Sequence, residues 1–280
     1  MGMVLRGSLC VTIHDFELLL VHMMWRLRST LLLLAVLAPS VARAEWTVAS
    51  SERSETGARG VVHVMTKADE SGGAARASLH FAVFPMKSAT LRVIDDPSES
   101  RLDLAGTMQK EGCIAGVNGG YFDPEWAPVG LLISDGHIVK PQRKARLLSG
   151  VVSVVNGRVQ IQRAAEFSAK AKPSAARQCG PFLVYGGKAV PSLDGTRAAR
   201  RTFVLTGGSD RAAIGYSSPV TLAQLGALLA TPGVLAEMKI QRALNLDGGS
   251  SSGFWFRGEG VPFSISEQKR VRDYLGVVAK

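Results

Sequence analysis

The sequence predicts an α+β fold: a single domain with a mixed, largely antiparallel sheet, several hairpins and a few helices. Three observations predict it. Short apolar runs of strand length recur along the chain, glycine-containing turns separate many of them, and few segments have helical spacing. The chain has 280 residues, 46% hydrophobic and 20% charged, which is enough to build one sizeable core.

The first 44 residues differ in composition from the rest of the chain. Residues 24–44 begin with two arginines, continue in an apolar run and end in Ala42-Arg43-Ala44. This order is typical of a secretory signal peptide with an A-x-A cleavage site. An uncleaved anchor is the alternative, but the apolar run is far shorter than the roughly 20 residues that a membrane span needs.

We therefore expect four parts: an upstream extension over 1–22, a signal peptide over 23–44, a flexible polar segment over 45–60, and a folded domain over 61–280. The mature protein would be exported, periplasmic or secreted, with no transmembrane span after signal cleavage. Cleavage would remove four arginines and two acids, which lowers the formal charge from +10 to +8.

The strand predictions follow the short apolar runs. In chain order they are 61–65, 79–84, 91–94, 113–117, 129–133, 137–139, 151–155, 158–161, 182–185, 188–190, 202–206, 212–216, 243–246, 253–256 and 274–278. Asn156-Gly157 is the strongest short signal for a hairpin turn, and Ser134-Asp135-Gly136 and Gly186-Gly187 predict two more.

Two helices are predicted. One covers 101–110, after an Asp-Pro-Ser start signal, and the other covers 222–230, where leucines recur at helical spacing behind Thr221 as N-cap. Residues 164–178 are weakly helical and interrupted by Pro173.

The positive charge favours an anionic partner: a phosphate-bearing glycan, an anionic envelope polymer or a lipid headgroup. The basic residues do not cluster with aromatic residues as a nucleic-acid groove requires, so we expect no nucleic acid as partner. Only short basic pieces stand out, such as residues 143–146, which a solvated surface also explains.

The cysteines and histidines of the sequence do not indicate a particular metal site or catalytic triad. Cys113 and Cys179 lie outside the signal peptide, and the sequence is consistent with one disulfide or with two buried free thiols. His63, His80 and His137 are scattered along the chain, so neither a histidine-rich metal site nor a Ser-His-Asp triad is supported.

Three segments of the chain end in glycine next to a polar residue, and the first and third of them follow predicted strands. The exits are Asn118-Gly119-Gly120, Gln178-Cys179-Gly180 and Asp247-Gly248-Gly249. Glycine reaches backbone conformations that other residues avoid, and it lets a ligand approach the main chain. These exits suggest a shared pocket, although each one could be only a turn.

Several of these motifs occur together and in a fixed order: VNGGYFDP, APVGLLISDGH, QCGPFLVYGGK and ALNLDGGSSS. Together they resemble the phosphodiester glycosidase family, from about residue 75 to the C-terminus. The sequence departs from the family pattern at Ser250, where many members have a third glycine. Its arginine motif around Arg200-Arg201 is also looser than usual.

The resemblance implies hydrolysis of a sugar-1-phosphodiester between the anomeric carbon and the phosphate oxygen, on a sugar-phosphate or phosphate-bearing glycan. The transition state of such a reaction resembles an oxocarbenium ion, which needs a carboxylate near the anomeric carbon and donors for the departing phosphate. We expect Asp247 and Asp123 as catalytic carboxylates. The expected substrate-binding residues are Asn118, Gly119, Gly120, Gln178, Arg200, Arg201, Gly248, Gly249, Ser250 and Ser251.

No cofactor is expected, with a carboxylate-bound Ca²⁺ or Mg²⁺ left open through Asp247 and Asp123. Two other functions remain open at this point. One is an envelope glycan-binding domain without turnover, and the other is a metal-dependent phosphodiesterase that cuts the P–O bond.

Overall fold

The computed structural model describes residues 45–98, 102–208 and 210–280. The predicted upstream extension and signal peptide lie outside these residues. Eight strands form the largest sheet: β1 (Trp46–Thr56), β2 (Val62–Glu70), β3 (Arg76–Pro85), β11 (Phe182–Tyr185), β12 (Lys188–Ala189), β13 (Ala199–Gly207), β14 (Arg211–Val220) and β15 (Ile240–Asn245). Their spatial order is β1-β2-β3-β14-β13-β15-β11-β12.

Two five-stranded sheets complete the fold. The second sheet has β6 (Leu132–Ser134), β7 (His137–Lys140), β8 (Gly150–Val155), β9 (Arg158–Arg163) and β10 (Ala175–Cys179), in the order β7-β6-β10-β8-β9. The third sheet has β4 (Ala89–Asp95), β5 (Ala115–Asn118), β16 (Phe254–Phe256), β17 (Phe263–Ile265) and β18 (Asp273–Ala279), in the order β17-β16-β5-β18-β4.

Every strand pairing within the described residues is antiparallel. The prediction of a largely antiparallel architecture is confirmed, but three sheets replace the single mixed sheet. The hairpins fall where the sequence placed them. Asn156 and Gly157 both have positive φ, of 49° and 71°, as a two-residue hairpin turn with matching twist requires.

The helical content is low. The α-helices of the described chain are α1 (Leu104–Lys110) and α2 (Leu222–Ala230). α2 matches its prediction and begins with a capping box, in which Thr221 and Gln224 each bond the other's main chain. α1 is shorter than predicted because Asp103 caps it by accepting from the Gly106 N–H, so the helix starts at Leu104; residue 101 lies outside the described residues.

Two other expectations were wrong. Residues 164–178 were expected to be weakly helical, but their helical part is limited to the 3₁₀ turn Ala169–Ala171, and their last four residues belong to β10, whose side chains are all buried. The segment 45–60, expected to be flexible, contains the 11-residue strand β1, paired with β2. β1 lies at the edge of its sheet and exposes most of its side chains, so its sequence lacks the apolar alternation by which buried strands are recognised.

The main core fills the space between the three sheets, where side chains such as Phe84, Val117, Val154 and Leu246 are at most 2% exposed. A second core lies under α2, on the other face of the largest sheet. Within the described residues, no helix is long and apolar enough to cross a membrane.

His63 and His80 are not scattered in space. They meet across β2 and β3, with His63 Nε2 3.1 Å from His80 Nδ1, among aromatic rings that include Phe254 and Phe263. The pKa of each imidazole is lowered to about 4, mainly by burial and, for His63, also by the neighbouring His80. The pair is therefore uncharged at neutral pH and packs as part of the core.

Candidate active site

The three glycine-containing strand exits come together where the sheets meet. The Asp247 N–H donates to the Gly119 carbonyl over 3.1 Å, which joins the end of β15 to the end of β5. The Asn245 side-chain amide donates to the Gly180 carbonyl over 3.0 Å, which adds the exit of β10. Strand ends from all three sheets thus border one place in the molecule.

Asn118 holds two of these exits together. Its Nδ2 donates to the Asp247 carbonyl over 2.8 Å, and its Oδ1 lies 2.9 Å from the Thr202 hydroxyl and 3.3 Å from the Gly253 N–H. Asn118 is 1% exposed. Its amide is fully used within the protein, so it positions the Asp247 main chain and has no group left for a sugar hydroxyl.

A buried ion pair lies directly behind this junction. Arg177 on β10 and Asp273 on β18 are both fully buried, and they form two hydrogen bonds of 2.9 and 3.0 Å. The Gly120 N–H donates to Asp273 Oδ1 over 3.0 Å, and Arg177 Nη2 donates to the Tyr121 carbonyl over 2.6 Å. The pair therefore fixes the main chain that leaves β5.

This ion pair explains the two glycines after Asn118. A Cβ atom at Gly119 would overlap the Asp273 carboxylate, and a Cβ atom at Gly120 would overlap the Arg177 guanidinium. The sequence interpretation that these glycines make room for a ligand is therefore replaced by a different reason: they make room for a charged pair of the protein itself.

Asp247 is half-buried at the exit of β15. Burial raises the pKa of its carboxyl above the ordinary aspartate value, although hydrogen bonds from the Ser251 hydroxyl and the Gly248 N–H lower it in part. The Gly248 N–H lies 2.9 Å from Asp247 Oδ1. The nearby Asp273 raises the pKa further, and its partner Arg177 opposes that effect.

Tyr121 borders the same place. Its hydroxyl donates to the Gly180 carbonyl over 2.5 Å and lies 3.3 Å from the side-chain nitrogen of Asn245. Burial raises the pKa of the Tyr121 phenol, and the charges of both Asp247 and Arg201 act on it. The phenol is therefore protonated, and it lies within electrostatic range of a carboxylate and a guanidinium.

The two candidate arginines have different surroundings. Arg200 donates to the Gly249 and Ser266 carbonyls over 3.3 and 3.2 Å, and its Nη2 is buried without a partner. Arg201 uses Nε and Nη2 for the carbonyls of Val220 and Arg197. Its Nη1 has no hydrogen bond within the described residues and lies 3.3 Å from the Cβ position of Gly248.

The segment after Asp247 forms a 3₁₀ turn over Gly249–Ser251. Gly249 has a φ of +68° and faces open space, so this glycine serves the turn conformation. Ser251 is 6% exposed and bonds the Asp247 carboxylate. The Ser250 carbonyl accepts from the N–H groups of Gln268 and Lys269, at 2.7 and 3.1 Å.

Gln178 points away from the junction. Its Oε1 accepts from the N–H groups of Leu131 and Arg143, and its Nε2 donates to the carbonyls of Arg143 and Leu148, all within 2.8–3.1 Å. All four hydrogen-bonding positions of the amide are filled by main chain. Gln178 therefore has no free group for a substrate, and we remove it from the set of sugar-binding candidates.

Asp123 closes a local turn. Its Oδ1 accepts from the Ala127 N–H over 2.8 Å, and its carbonyl accepts from the Trp126 N–H over 3.0 Å. This is the ordinary turn role of an aspartate. No hydrogen bond within the described residues joins Asp123 to the Asp247 carboxylate.

The described residues contain neither a disulfide nor a metal-binding cluster. Cys113 and Cys179 are both free and buried, so they do not form the disulfide that the sequence left open. Among the residues that the structure describes, no three side chains of His, Cys, Asp or Glu are grouped as a metal site requires.

Sequence reasoning missed the Arg177–Asp273 pair and Glu267. Glu267 accepts from the Leu104 N–H over 2.7 Å at the start of α1, its Oε2 is buried without a partner, and burial raises its pKa. One signal was present: Arg177 is a lone charge in the short run Ala175–Cys179, and a lone charge in a buried strand requires a partner.

Comparison with known proteins places the chain in a family. A family model described as phosphodiester glycosidase matches residues 111–278, which include every strand exit at the junction. The chain belongs to the phosphodiester glycosidase family. No protein with a curated function matches it in sequence.

Solved structures share the fold. The catalytic domain of zebrafish N-acetylglucosamine-1-phosphodiester alpha-N-acetylglucosaminidase, described as auto-inhibited by its pro-peptide, superposes with a TM-score of 0.56 at 16% identity. That match covers 84% of this chain and 88% of the other. A hypothetical protein from Synechocystis superposes with a TM-score of 0.55 at 14% identity, over 79% of this chain and 62% of the other.

The glycines beside the ion pair give a stability prediction. Gly120→Ala forces a methyl group into the Arg177 guanidinium, so we expect the free energy of unfolding to fall by about 3 kcal/mol or more. Gly260→Ala is the control, because a Cβ there meets nothing within 4 Å; we expect a change within about 0.5 kcal/mol. Urea unfolding measures both free energies. A Gly120→Ala variant as stable as the wild type would show that the Arg177 side chain can move aside at little cost.

Proposed function

We propose that this phosphodiester glycosidase hydrolyses a sugar-1-phosphodiester between the anomeric carbon and the phosphate oxygen. The observation that carries the proposal is the half-buried Asp247 carboxyl, whose main chain is fixed by Asn118 and whose oxygens are held by Gly248 and Ser251. Such a carboxylate suits a transition state with positive charge at the anomeric carbon.

Asp247 would act on the anomeric carbon, as nucleophile, base or electrostatic stabiliser. The substrate is a phosphodiester, and the group that departs from the anomeric carbon is a phosphate monoester, which keeps the electron pair of the broken C–O bond while water supplies the new hydroxyl. Phosphate is a good leaving group, so little general-acid help is needed. Partial burial strengthens the interaction of Asp247 with the developing positive charge, because fewer waters screen it. Asp123 becomes the weaker candidate, because its side chain already closes a turn.

Arg201 would hold the phosphate. Its Nη1 is without a protein acceptor in the described structure and lies beside Gly248, next to the Asp247 carboxylate. The Nη1 of Arg201 can donate to an oxygen of the leaving phosphate, and the positive charge of the guanidinium can offset the negative charge that develops there. Arg200 would support it by holding the Gly249 carbonyl, and Gly249 and Ser250 would line the open side of the turn.

The proposed substrate is a cell-envelope or exopolysaccharide glycan, and the proposed location is outside the cytoplasm. The signal-peptide pattern before residue 45 and the formal charge of +8 that remains for residues 45–280 support this choice. No cofactor is assigned to the reaction.

The direct test compares residues 45–280 of the wild type with Asp247→Asn on UDP-GlcNAc and a small panel of sugar-1-phosphodiesters. We expect Asp247→Asn to lower kcat/KM by about 100-fold or more. The melting temperature should not fall, because asparagine keeps the acceptor for Gly248 and removes a buried charge whose ionised form is disfavoured.

Three outcomes of this test are distinct. Full turnover by a folded Asp247→Asn variant would remove Asp247 from the chemistry. Absence of turnover by the wild type on every compound, together with a rise of its melting temperature in sugar phosphate, would favour a glycan-binding domain. Loss of wild-type turnover in chelator would favour the metal-dependent phosphodiesterase.

The pKa of Asp247 gives a pH prediction. If the ionised carboxylate is required, kcat/KM falls as the pH drops through a pKa that lies above the ordinary aspartate value. The Ser251 hydroxyl bond lowers this pKa, so Ser251→Ala should move the acidic limb of the profile to higher pH. Ser264→Ala, on the exposed side of β17, is the control and should leave the limb in place. An unchanged limb in Ser251→Ala would mean that another group titrates.

A further inference from the structure

A strongly basic loop connects β7 to β8. Within seven residues it carries Lys140, Arg143, Lys144 and Arg146, all of them exposed. The stretch from 137 to 149 contains no aspartate or glutamate. None of the four cations takes part in a salt bridge with any described residue. Four positive charges are thus presented to solvent without a carboxylate partner.

The main chain of this loop, which we call the basic loop (140–146), is firmly held. The Arg143 N–H donates to Gln178 Oε1 over 3.0 Å, and the Arg143 carbonyl accepts from Gln178 Nε2 over 2.8 Å. Gln178 is itself fully buried. The Gln142 side chain donates to the Ala164 carbonyl over 2.5 Å. A buried glutamine therefore fixes the backbone while the cationic side chains stay outside.

This arrangement gives Gln178 a purpose that the sugar-binding hypothesis did not supply. A surface that binds an anion benefits from a fixed backbone, because less conformational entropy is lost when the ligand arrives.

The segment that directly follows the basic loop reaches the candidate active site. This segment packs directly on Gly180, where a Cβ would overlap the Leu147 carbonyl and approach the Ser149 N–H to 2.9 Å. The Gly180 carbonyl in turn accepts from the Tyr121 hydroxyl and from Asn245. Gly180 therefore contacts both the segment just after the basic loop and the groups that border Asp247.

We propose that the basic loop is a subsite for the continuing chain of a polymeric substrate, a glycan whose sugar units are joined by phosphodiesters. This inference rests on the proposed function and names its substrate class. A polymer cut at one sugar-1-phosphodiester carries further phosphates along its chain, and these would lie against Lys140, Arg143, Lys144 and Arg146. The loop has no aromatic side chain on which a base could stack, which favours a glycan over a nucleic acid.

The test measures binding and turnover separately. The probe for binding is a short oligomer of N-acetylglucosamine units joined by 1-phosphodiesters, titrated into protein that carries Asp247→Asn so that it is not cut. The probe for turnover is a single-unit sugar-1-phosphodiester, given to protein with Asp247 intact. Each is measured with the basic loop unchanged and with Lys140→Gln, Arg143→Gln, Lys144→Gln and Arg146→Gln together.

A matched control removes the same charge elsewhere. Lys67, Lys87, Lys110 and Lys239 are exposed and lie on separate parts of the surface, and all four are changed to glutamine. The control has the same net charge as the loop variant, so it separates the effect of total charge from the effect of place.

We expect the loop variant to bind the oligomer about tenfold more weakly than the parent at low salt, and the control to bind it within about twofold. The difference should shrink near 1 M salt, where the screening length is only about 3 Å. Turnover of the single-unit substrate should be the same in all three proteins, because that substrate does not reach the loop.

Unchanged oligomer binding in the loop variant, or an equal loss in the control, would overturn the inference. Equal loss of single-unit turnover would also overturn it, because the loop would then act on the reacting group itself. If the wild type cleaves nothing while oligomer binding still depends on the loop, the proposed reaction fails and the binding subsite stands.

Discussion

The fully buried ion pair between Arg177 and Asp273 is the interaction on which the rest of the site depends. Burying two charges is costly, and the cost is offset only when geometry is good and the remaining donors and acceptors are filled. Here two hydrogen bonds join the side chains, and main-chain groups of Gly120, Tyr121 and Val129 take up others. The pair joins the second sheet to the third at the point where β5 ends.

The position of Asp247 follows from that constraint. The turn after β5 is shaped by the ion pair, and its Gly119 carbonyl accepts the Asp247 N–H. Asn118 takes the Asp247 carbonyl, so the main chain of this residue is held on both sides while its carboxyl stays half-buried. Two neighbouring residues of β10 have different roles. Arg177 forms the ion pair behind the junction, and Gln178 fixes the main chain of the basic loop.

Much of the fold could be predicted from local sequence. Asn156-Gly157 specifies its hairpin through backbone conformation, and Thr221 with the leucine spacing specifies α2, because both signals act within a few residues. The segment 164–178 could not be read correctly, since β10 is a strand because of its partners in the second sheet. The edge strand β1 was missed because it is held by main-chain pairing and exposes most side chains.

The candidate site was predictable in outline only. The glycine-containing exits led to Asp247, and the structure brings them together. Sequence could not show that Gly119 and Gly120 are small because of Arg177 and Asp273, residues that lie far away along the chain. It also could not show that the amides of Asn118 and Gln178 are already used. Hydrogen-bond saturation is a property of the folded chain, and no single-residue pattern records it.

The measurement that tests the central claim most directly uses a sugar-1-phosphodiester that the wild type hydrolyses. The reaction is run in ¹⁸O-labelled water, and both products are analysed by mass spectrometry. Cleavage between the anomeric carbon and the phosphate oxygen places the label in the sugar, and this is the result that we predict. Label in the phosphate would mean attack at phosphorus. It would contradict the role of Asp247 at the anomeric carbon, however well the fold and family agree.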